Sequence, residues 1–251
     1  MARDLISVTP YTDREEVAGI VAKYDYLAVP VVDEEKRILG IVTVDDVIDI
    51  LHESATEDIL KMAGVGEDYI ETQTIFKGIR IRLPWLLASF LGGGMAFFVI
   101  SHFEASIAKI SVLAAFIPVI AGMGGNIGTQ SSIIVVRGLA TGQILLKDFL
   151  RIISKEFSIG LSLGLIYGLL IGVIAEIIFH VEDFSIHLAF SVSCAIITSM
   201  SLAGLMGSMI PLCLHRMRID PAVATGPFVT TTIDIVSSLC YFSIASYFMG
   251  L

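Results

Sequence analysis

Five long runs without Asp, Glu, Lys or Arg constrain this chain more than any other feature of its sequence. They cover residues 83–103, 110–136, 157–175 and 184–215, and a last stretch from Pro221 to the C-terminus that only Asp234 interrupts. Each can cross about 30 Å of hydrocarbon, which takes about 20 helical residues. The mean hydropathy of +0.83 agrees with a membrane protein. We predict a mostly α-helical fold with a five-helix transmembrane domain at 85–251.

The distribution of basic residues predicts how these spans are oriented. Lysines and arginines precede the first span, flank the loop between the second and third, and separate the fourth from the fifth, whereas the opposite side carries Lys109 alone. Basic loops stay in the cytoplasm, so the N-terminal part should be cytoplasmic and the C-terminus outside. An odd number of spans makes an inverted repeat within one chain unexpected, which favours a pathway between identical chains.

Residues 1–53 predict a small α/β unit in the order helix, strand, strand, helix. The second strand ends in Gly40, Thr43 and Asp46 at the spacing Gly-x-x-Thr-x-x-Asp, which resembles one cystathionine-β-synthase (CBS) motif. That resemblance implies that Thr43 and Asp46 meet the phosphate and ribose of an adenine nucleotide such as ATP, with the backbone near Ala28 and Val29 at the base. The alternative is that Thr43 caps the following helix and Asp46 is solvated.

Carboxylates line one face of the helix that begins at Val44. They recur every four residues, with two more beside them: Asp45, Asp49, Glu53 and Glu57, then Asp46 and Asp58. Like charges at this spacing repel by about 0.2 to 0.5 kcal/mol per pair. Lys61 is the only basic residue between Asp45 and Glu71, so we expect no neutralisation within this segment. Two interpretations of this face remain: it is a sensing site for a divalent cation, or it is an ordinary solvated helix face. Residues 54–84 then connect this unit to the first span.

The second run holds an unusual polar, glycine-rich stretch, FIPVIAGMGGNIGTQSS at 116–132. Pro118 removes a helix hydrogen bond, and four glycines surround Asn126, Thr129 and Gln130, which predicts a break in the helix. Such a break should lie against protein or water, because lipid cannot satisfy unpaired backbone groups.

The fifth run carries a polar stripe at helical spacing that consists of Pro227, Thr230, Thr231, Asp234, Ser237, Ser238 and Tyr241. Asp234 should lie near the bilayer midplane, where an ionised side chain costs at least ~2.5 to 3.5 kcal/mol. An ion pathway would explain this carboxylate; a protonated carboxyl in a helix contact is the alternative. The carboxylate of Asp220 has three possible roles: it caps a helix, it pairs with Arg218, or it binds the ion.

Taken in order, the motifs resemble the MgtE family of bacterial magnesium transporters over nearly the whole chain. They are the CBS motif, the acidic helix, RLPWLL (82–87), GGNIGTQ (124–130), DPAVATGP (220–227) and VTTTID (229–234). The resemblance implies a homodimer in the inner membrane of a bacterial cell, with a central pore lined by the second and fifth spans. It implies that Asp234 recognises the ion and that Mg²⁺ is both transported and regulatory.

The chemistry of Mg²⁺ agrees with that resemblance, since this ion prefers oxygen ligands and keeps its waters. The predicted ion-binding residues are Asp234, Asn126, Thr230, Thr231, Asp220 and Gly125. Mn²⁺ or Co²⁺ could use the same oxygens, and a proton-coupled transporter would also use a midplane carboxylate. We expect no enzyme, because no nucleophile, base and metal cluster occur together. No nucleic acid or second protein is implied as a partner, only the bilayer and another copy of the chain.

Overall fold

The structure is a computed structural model that describes residues 6–65, 74–180 and 184–250, apart from the side chain of Ala224. It divides into two compact units, Met1–Leu60 and Lys61–Leu251.

The first unit is a two-stranded sheet with helices before and after it. Helix α1 spans Arg14–Tyr24, strands β1 and β2 span Ala28–Val32 and Ile38–Thr43, and helix α2 spans Val44–Met62. The strands are antiparallel, so that Ala28 lies opposite Thr43. Its core consists of Val8, Val17, Ala18, Val21, Val29 and Val47. The predicted order of helix, strand, strand and helix is confirmed.

The second unit contains five helices that are long and apolar enough to cross a membrane, within the described residues. They are α3 (Ile75–His102), α5 (Leu113–Ala140), α6 (Phe149–Phe179), α7 (Ser185–Arg216) and α9 (Pro227–Met249). Shorter helices join them: α4 (Glu104–Lys109), a 3₁₀ turn (Leu146–Asp148) and α8 (Ala222–Thr225). The mostly α-helical, five-span prediction is confirmed.

Helix α7 lies at the centre of this unit and contacts α5, α6 and α9. Val192, Ile196 and Met200 of α7 are buried in the core that it shares with α5 and α9. By contrast, α3 has no buried residue and contacts mainly α9. Helix α7 therefore supports α5 and α9, the two helices that hold the polar motifs.

A row of glycines lets α6 approach α7 closely. Gly160, Gly164, Gly168 and Gly172, which we call the glycine ridge, recur every four residues and are all buried. A Cβ on Gly164 would lie 3.0 Å from the Cα of Ile197, and one on Gly168 would lie 2.8 Å from the carbonyl oxygen of Ser193. Without a hydrophobic force between helices in lipid, such backbone contact is a main source of helix association.

Candidate ion pathway

Helices α5 and α9 form a groove of about 360 Å³ that is lined by both polar and small apolar residues. We call it the α5–α9 groove, and its lining residues are Ala121, Gly122, Gly125, Asn126, Thr129, Gln130, Thr230 and Asp234. Four of the six residues predicted to bind the ion therefore come together here: Asp234, Asn126, Thr230 and Gly125. Thr129 and Gln130 were absent from that set, although they follow Gly125 and Asn126 by one helical turn.

The predicted break in the second span is wrong, because α5 is one continuous helix from Leu113 to Ala140. Pro118 lies in the second turn of α5, where the helix accommodates it. The glycines act by admitting neighbours: a Cβ on Gly124 would lie 2.6 Å from the Oγ of Ser199 and 2.9 Å from that of Ser237. One face of α5 thus packs on α7 and α9, while the amides point into the groove.

Asp234 is half-buried, and its carboxylate has no hydrogen bond or ion pair to any residue that the structure describes. The side chains of Asn126 and Gln130 are exposed and likewise have no such partner within the described ranges. Thr230 donates its hydroxyl proton to the carbonyl oxygens of Gly226 and Pro227, both at 3.2 Å. Its lone pairs remain available to accept hydrogen bonds in the groove.

The rest of the α9 stripe lies outside the groove. The Ser237 hydroxyl is 2.6 Å from that of Ser199, and the Tyr241 hydroxyl donates to the carbonyl oxygen of Leu113 at 2.8 Å. Thr231 faces α3, where a Cβ on Gly92 would collide with it. The stripe therefore has two parts: Thr230 and Asp234 line the groove, whereas Thr231, Ser237 and Tyr241 contact neighbouring helices.

Asp220 lies away from the groove, just before α8. Its Oδ1 accepts a hydrogen bond from the backbone N–H of Ala222, the first residue of α8, at 2.9 Å. Its Oδ2 lies 2.8 Å from the Nζ of Lys61, whereas an ion pair with Arg218 was one of the expected alternatives. The end of α2 is near the start of α9, since a Cβ on Gly226 would lie 3.2 Å from the carbonyl oxygen of Met62.

The acidic face of α2 is partly neutralised from α1. Arg14 lies 3.2 Å from the carboxylate of Glu53 and 3.8 Å from that of Glu57. This positive charge comes from outside the acidic segment, since Arg14 and Glu53 are 39 positions apart in the sequence. Asp45 and Asp49 are exposed. No three His, Cys, Asp or Glu side chains of the described residues form a group that could hold a metal.

The four residues predicted for nucleotide binding are close together where β2 meets α2. Ala28 and Val29 pair with Thr43 and Val42. The Oδ2 of Asp46 accepts hydrogen bonds from the backbone N–H of Thr43 at 3.0 Å and from its hydroxyl at 2.7 Å. Both bonds lower the pKa of the Asp46 carboxyl, and the bond from the backbone N–H has the larger effect. They close the first turn of α2; nucleotide binding stays a prediction.

Comparison with known proteins relates both units to one family. A family model described as a divalent cation transporter, MgtE, matches residues 117–244, and a CBS domain model matches 1–53. Proteins named magnesium transporter MgtE are 38% identical over 98% of this chain in Bacillus subtilis, 40% over 98% in Enterococcus faecalis and 36% over 96% in Thermus thermophilus. The chain spans about half the length of these relatives, 53% in each case.

The match to the transporter model includes the whole α5–α9 groove. The chain belongs to the MgtE family of divalent cation transporters.

Proposed function

We propose that this protein conducts Mg²⁺ across a bacterial cell membrane through the α5–α9 groove. The observation that carries the proposal is the Asp234 carboxylate, which lines the groove and has no protein partner among the described residues. A membrane helix gains nothing from such a group unless it meets water or a cation. The relatives' names, which specify magnesium, support Mg²⁺ as the ion.

The groove is suited to an ion that keeps its water. Mg²⁺ releases its first-shell waters reluctantly, and those waters donate hydrogen bonds outward. Asp234, the lone pairs of Thr230 and the amide oxygens of Asn126 and Gln130 are acceptors for them. The groove residues include no His, Cys or Met, and soft metals prefer those ligands.

We further propose that two copies of the chain complete the pathway. The groove lies at the surface of the single chain, where Asn126 and Gln130 are exposed, and one carboxylate leaves most of a hydrated ion without protein contacts. A two-fold axis along the groove would bring a second Asp234 to the same ion, with one interface patch meeting its own copy.

We also propose that cytoplasmic Mg²⁺ controls the pathway through α2. This helix carries both the acidic face and Lys61, which pairs with Asp220, a residue that precedes α8 and the last membrane helix, α9. Ion binding at Asp45 and Asp49 would bias the position of α2 only if it differed between open and closed states. In an Asp45→Asn/Asp49→Asn variant, flux should persist at Mg²⁺ concentrations that close the wild type; unchanged closure would contradict the proposal.

Flux into liposomes tests the transport function. Purified protein should admit Mg²⁺ down its gradient, more readily than Ca²⁺, and at a rate that an imposed pH gradient does not change. Parallel measurements with Mn²⁺ and Co²⁺ rank the ions that share oxygen ligands. A rate that follows the proton gradient would favour a proton-coupled transporter, and no divalent flux in active vesicles would reject the proposal.

A further inference from the structure

A second pocket, of about 250 Å³, lies where α5 ends and α6 begins. Its lining combines apolar residues, such as Ile134 and Ile152, with charged residues of both signs, Asp148, Arg151, Lys155 and Glu156. None of these residues lines the α5–α9 groove.

The charge pattern of α6 indicates that this pocket lies at the depth of lipid headgroups. Arg151 and Lys155 are in the first two turns of α6, and the charge-free part of that helix begins only at residue 157. Leu150 beside them is 79% exposed, and Ile134 at the pocket wall is 55% exposed. Apolar side chains so exposed at a membrane boundary are suited to contact with acyl chains.

The charges at the pocket lack protein partners. The side chains of Asp148, Arg151 and Lys155 make no hydrogen bond or ion pair with any residue in the described part of the chain. Asp148 precedes α6 without forming a side-chain cap. Arg151 and Lys155, one turn apart, repel each other, and an anion between them would relieve that repulsion.

Glu156 is a buried residue in the wall of the pocket. Its side chain is only 4% exposed, and its Oε2 accepts a hydrogen bond from the hydroxyl of Ser131 at 2.8 Å. A hydrogen-bonded carboxyl group this deep is held by the fold, so the turn of α6 that carries Lys155 is fixed in place.

We propose that this pocket binds the headgroup of a phospholipid that carries both a phosphate and a primary ammonium group, such as phosphatidylethanolamine. Arg151 and Lys155 hold the phosphate by charge-assisted hydrogen bonds. The Asp148 carboxylate holds the ammonium, and the acyl chains run along Ile134 and Ile152. Both signs of charge in the lining favour this headgroup over one that carries phosphate alone.

Native mass spectrometry of the full chain tests the proposal, with phosphatidylethanolamine, phosphatidylglycerol and phosphatidylcholine offered in turn. The test variant is Arg151→Gln/Lys155→Gln. The matched control is Arg137→Gln/Lys147→Gln, which removes two exposed charges near the same ends of α5 and α6 from residues that do not line the pocket. A third variant, Asp148→Asn, removes only the partner of the ammonium.

We expect one retained phosphatidylethanolamine per wild-type chain, bound at least tenfold more weakly by the Arg151/Lys155 variant and unchanged in the control. In Asp148→Asn, the affinity for phosphatidylethanolamine should fall to the affinity for phosphatidylglycerol. Equal retention by the test and control variants would overturn the site. Equal wild-type affinity for phosphatidylethanolamine and phosphatidylglycerol would overturn the assignment of the headgroup.

Discussion

The properties of single residues decide what the α5–α9 groove can bind, and Asp234 is the clearest case. Replacing it with Asn keeps the size of the side chain and removes the charge. Asp234→Asn should reduce Mg²⁺ flux at least tenfold, because the neutral amide attracts the ion far less at low dielectric. Oligomer assembly and thermal stability should change little, since the carboxylate has no partner among the described residues to lose.

The control for that experiment is Glu104→Gln, which neutralises an exposed carboxylate on α4 away from the groove. It should conduct like the wild type. Wild-type Mg²⁺ flux and selectivity in Asp234→Asn would instead assign Asp234 to helix packing.

Asp46 makes the stability of the first unit depend on pH. Its hydrogen bonds from Thr43 lower its folded pKa below the ordinary value of 3.8. It therefore contributes stability above about pH 4, and this contribution is lost as the pH falls through the folded pKa. Hydrogen exchange of the β2 and α2 amides, corrected for intrinsic rates, should show weaker protection in Asp46→Asn than in the wild type at pH 7. That difference should shrink towards pH 3, and a constant difference would contradict the assignment.

The sequence indicated which residues would lie together where the signal was local. Asp234 and Thr230 are one helical turn apart, and the amide-rich stretch of α5 was conspicuous, so their lining role could be anticipated. The pairing of Lys61 with Asp220 could not, because it joins residues 159 positions apart. The same applies to Arg14, which depends on how α1 packs in its unit.

At the scale of elements, the contact of α6 with α7 depends on the glycine ridge. In Gly168→Ala the new methyl group would lie 2.8 Å from the carbonyl oxygen of Ser193 and 2.9 Å from a side-chain carbon of Ile197, so the helices must separate. We expect a loss of about 1 to 3 kcal/mol, as for other overpacked sites, measured by thermal unfolding in detergent.

Gly93→Ala is the matched control for the ridge. Nothing lies within 4 Å of a Cβ at that position on α3, so the methyl group should be tolerated or slightly stabilising. Equal melting temperatures for the Gly93 and Gly168 variants would show that α6 and α7 adjust without cost.

The end of α2 is the other element whose function can be tested. Lys61 and Asp220 are both partly exposed, and such pairs contribute about 0 to 1 kcal/mol. A weak contact suits a switch, since a small change can break it. Lys61→Met should alter the Mg²⁺ concentration that halves the flux, measured against Lys109→Met. Identical inhibition curves for wild type and Lys61→Met would show that this contact has no role in the proposed gating.

Considered as a whole, the molecule has a groove that lies at the surface of the single chain, which leads us to expect that ions pass between two chains. Dimers with one wild-type and one Asp234→Asn chain, isolated by two different tags, should conduct far less than half as well as the wild type. Two independent pores, one in each chain, would give half of the wild-type flux, and that result would contradict a shared pathway.

The fold class was predictable because length and hydropathy alone set the number of spans. The helix lengths were not, since α3 begins at Ile75 and α6 at Phe149, ahead of the charge-free runs. Charged residues at helix ends tolerate the membrane boundary by extending their side chains to water. Charge therefore marks the hydrocarbon boundary rather than the end of a helix.

The glycine ridge also bears on how the protein responds to its bilayer. The charge-free part of α7 runs from Ser185 to His215 and is therefore roughly 46 Å long, well beyond the hydrocarbon thickness. Long helices relieve such hydrophobic mismatch by tilting, but two backbones in direct contact have to tilt together. Because α7 also contacts α5 and α9, a thinner or thicker bilayer would strain the walls of the groove itself. We therefore expect the length of the acyl chains to affect flux through the proposed ion pathway.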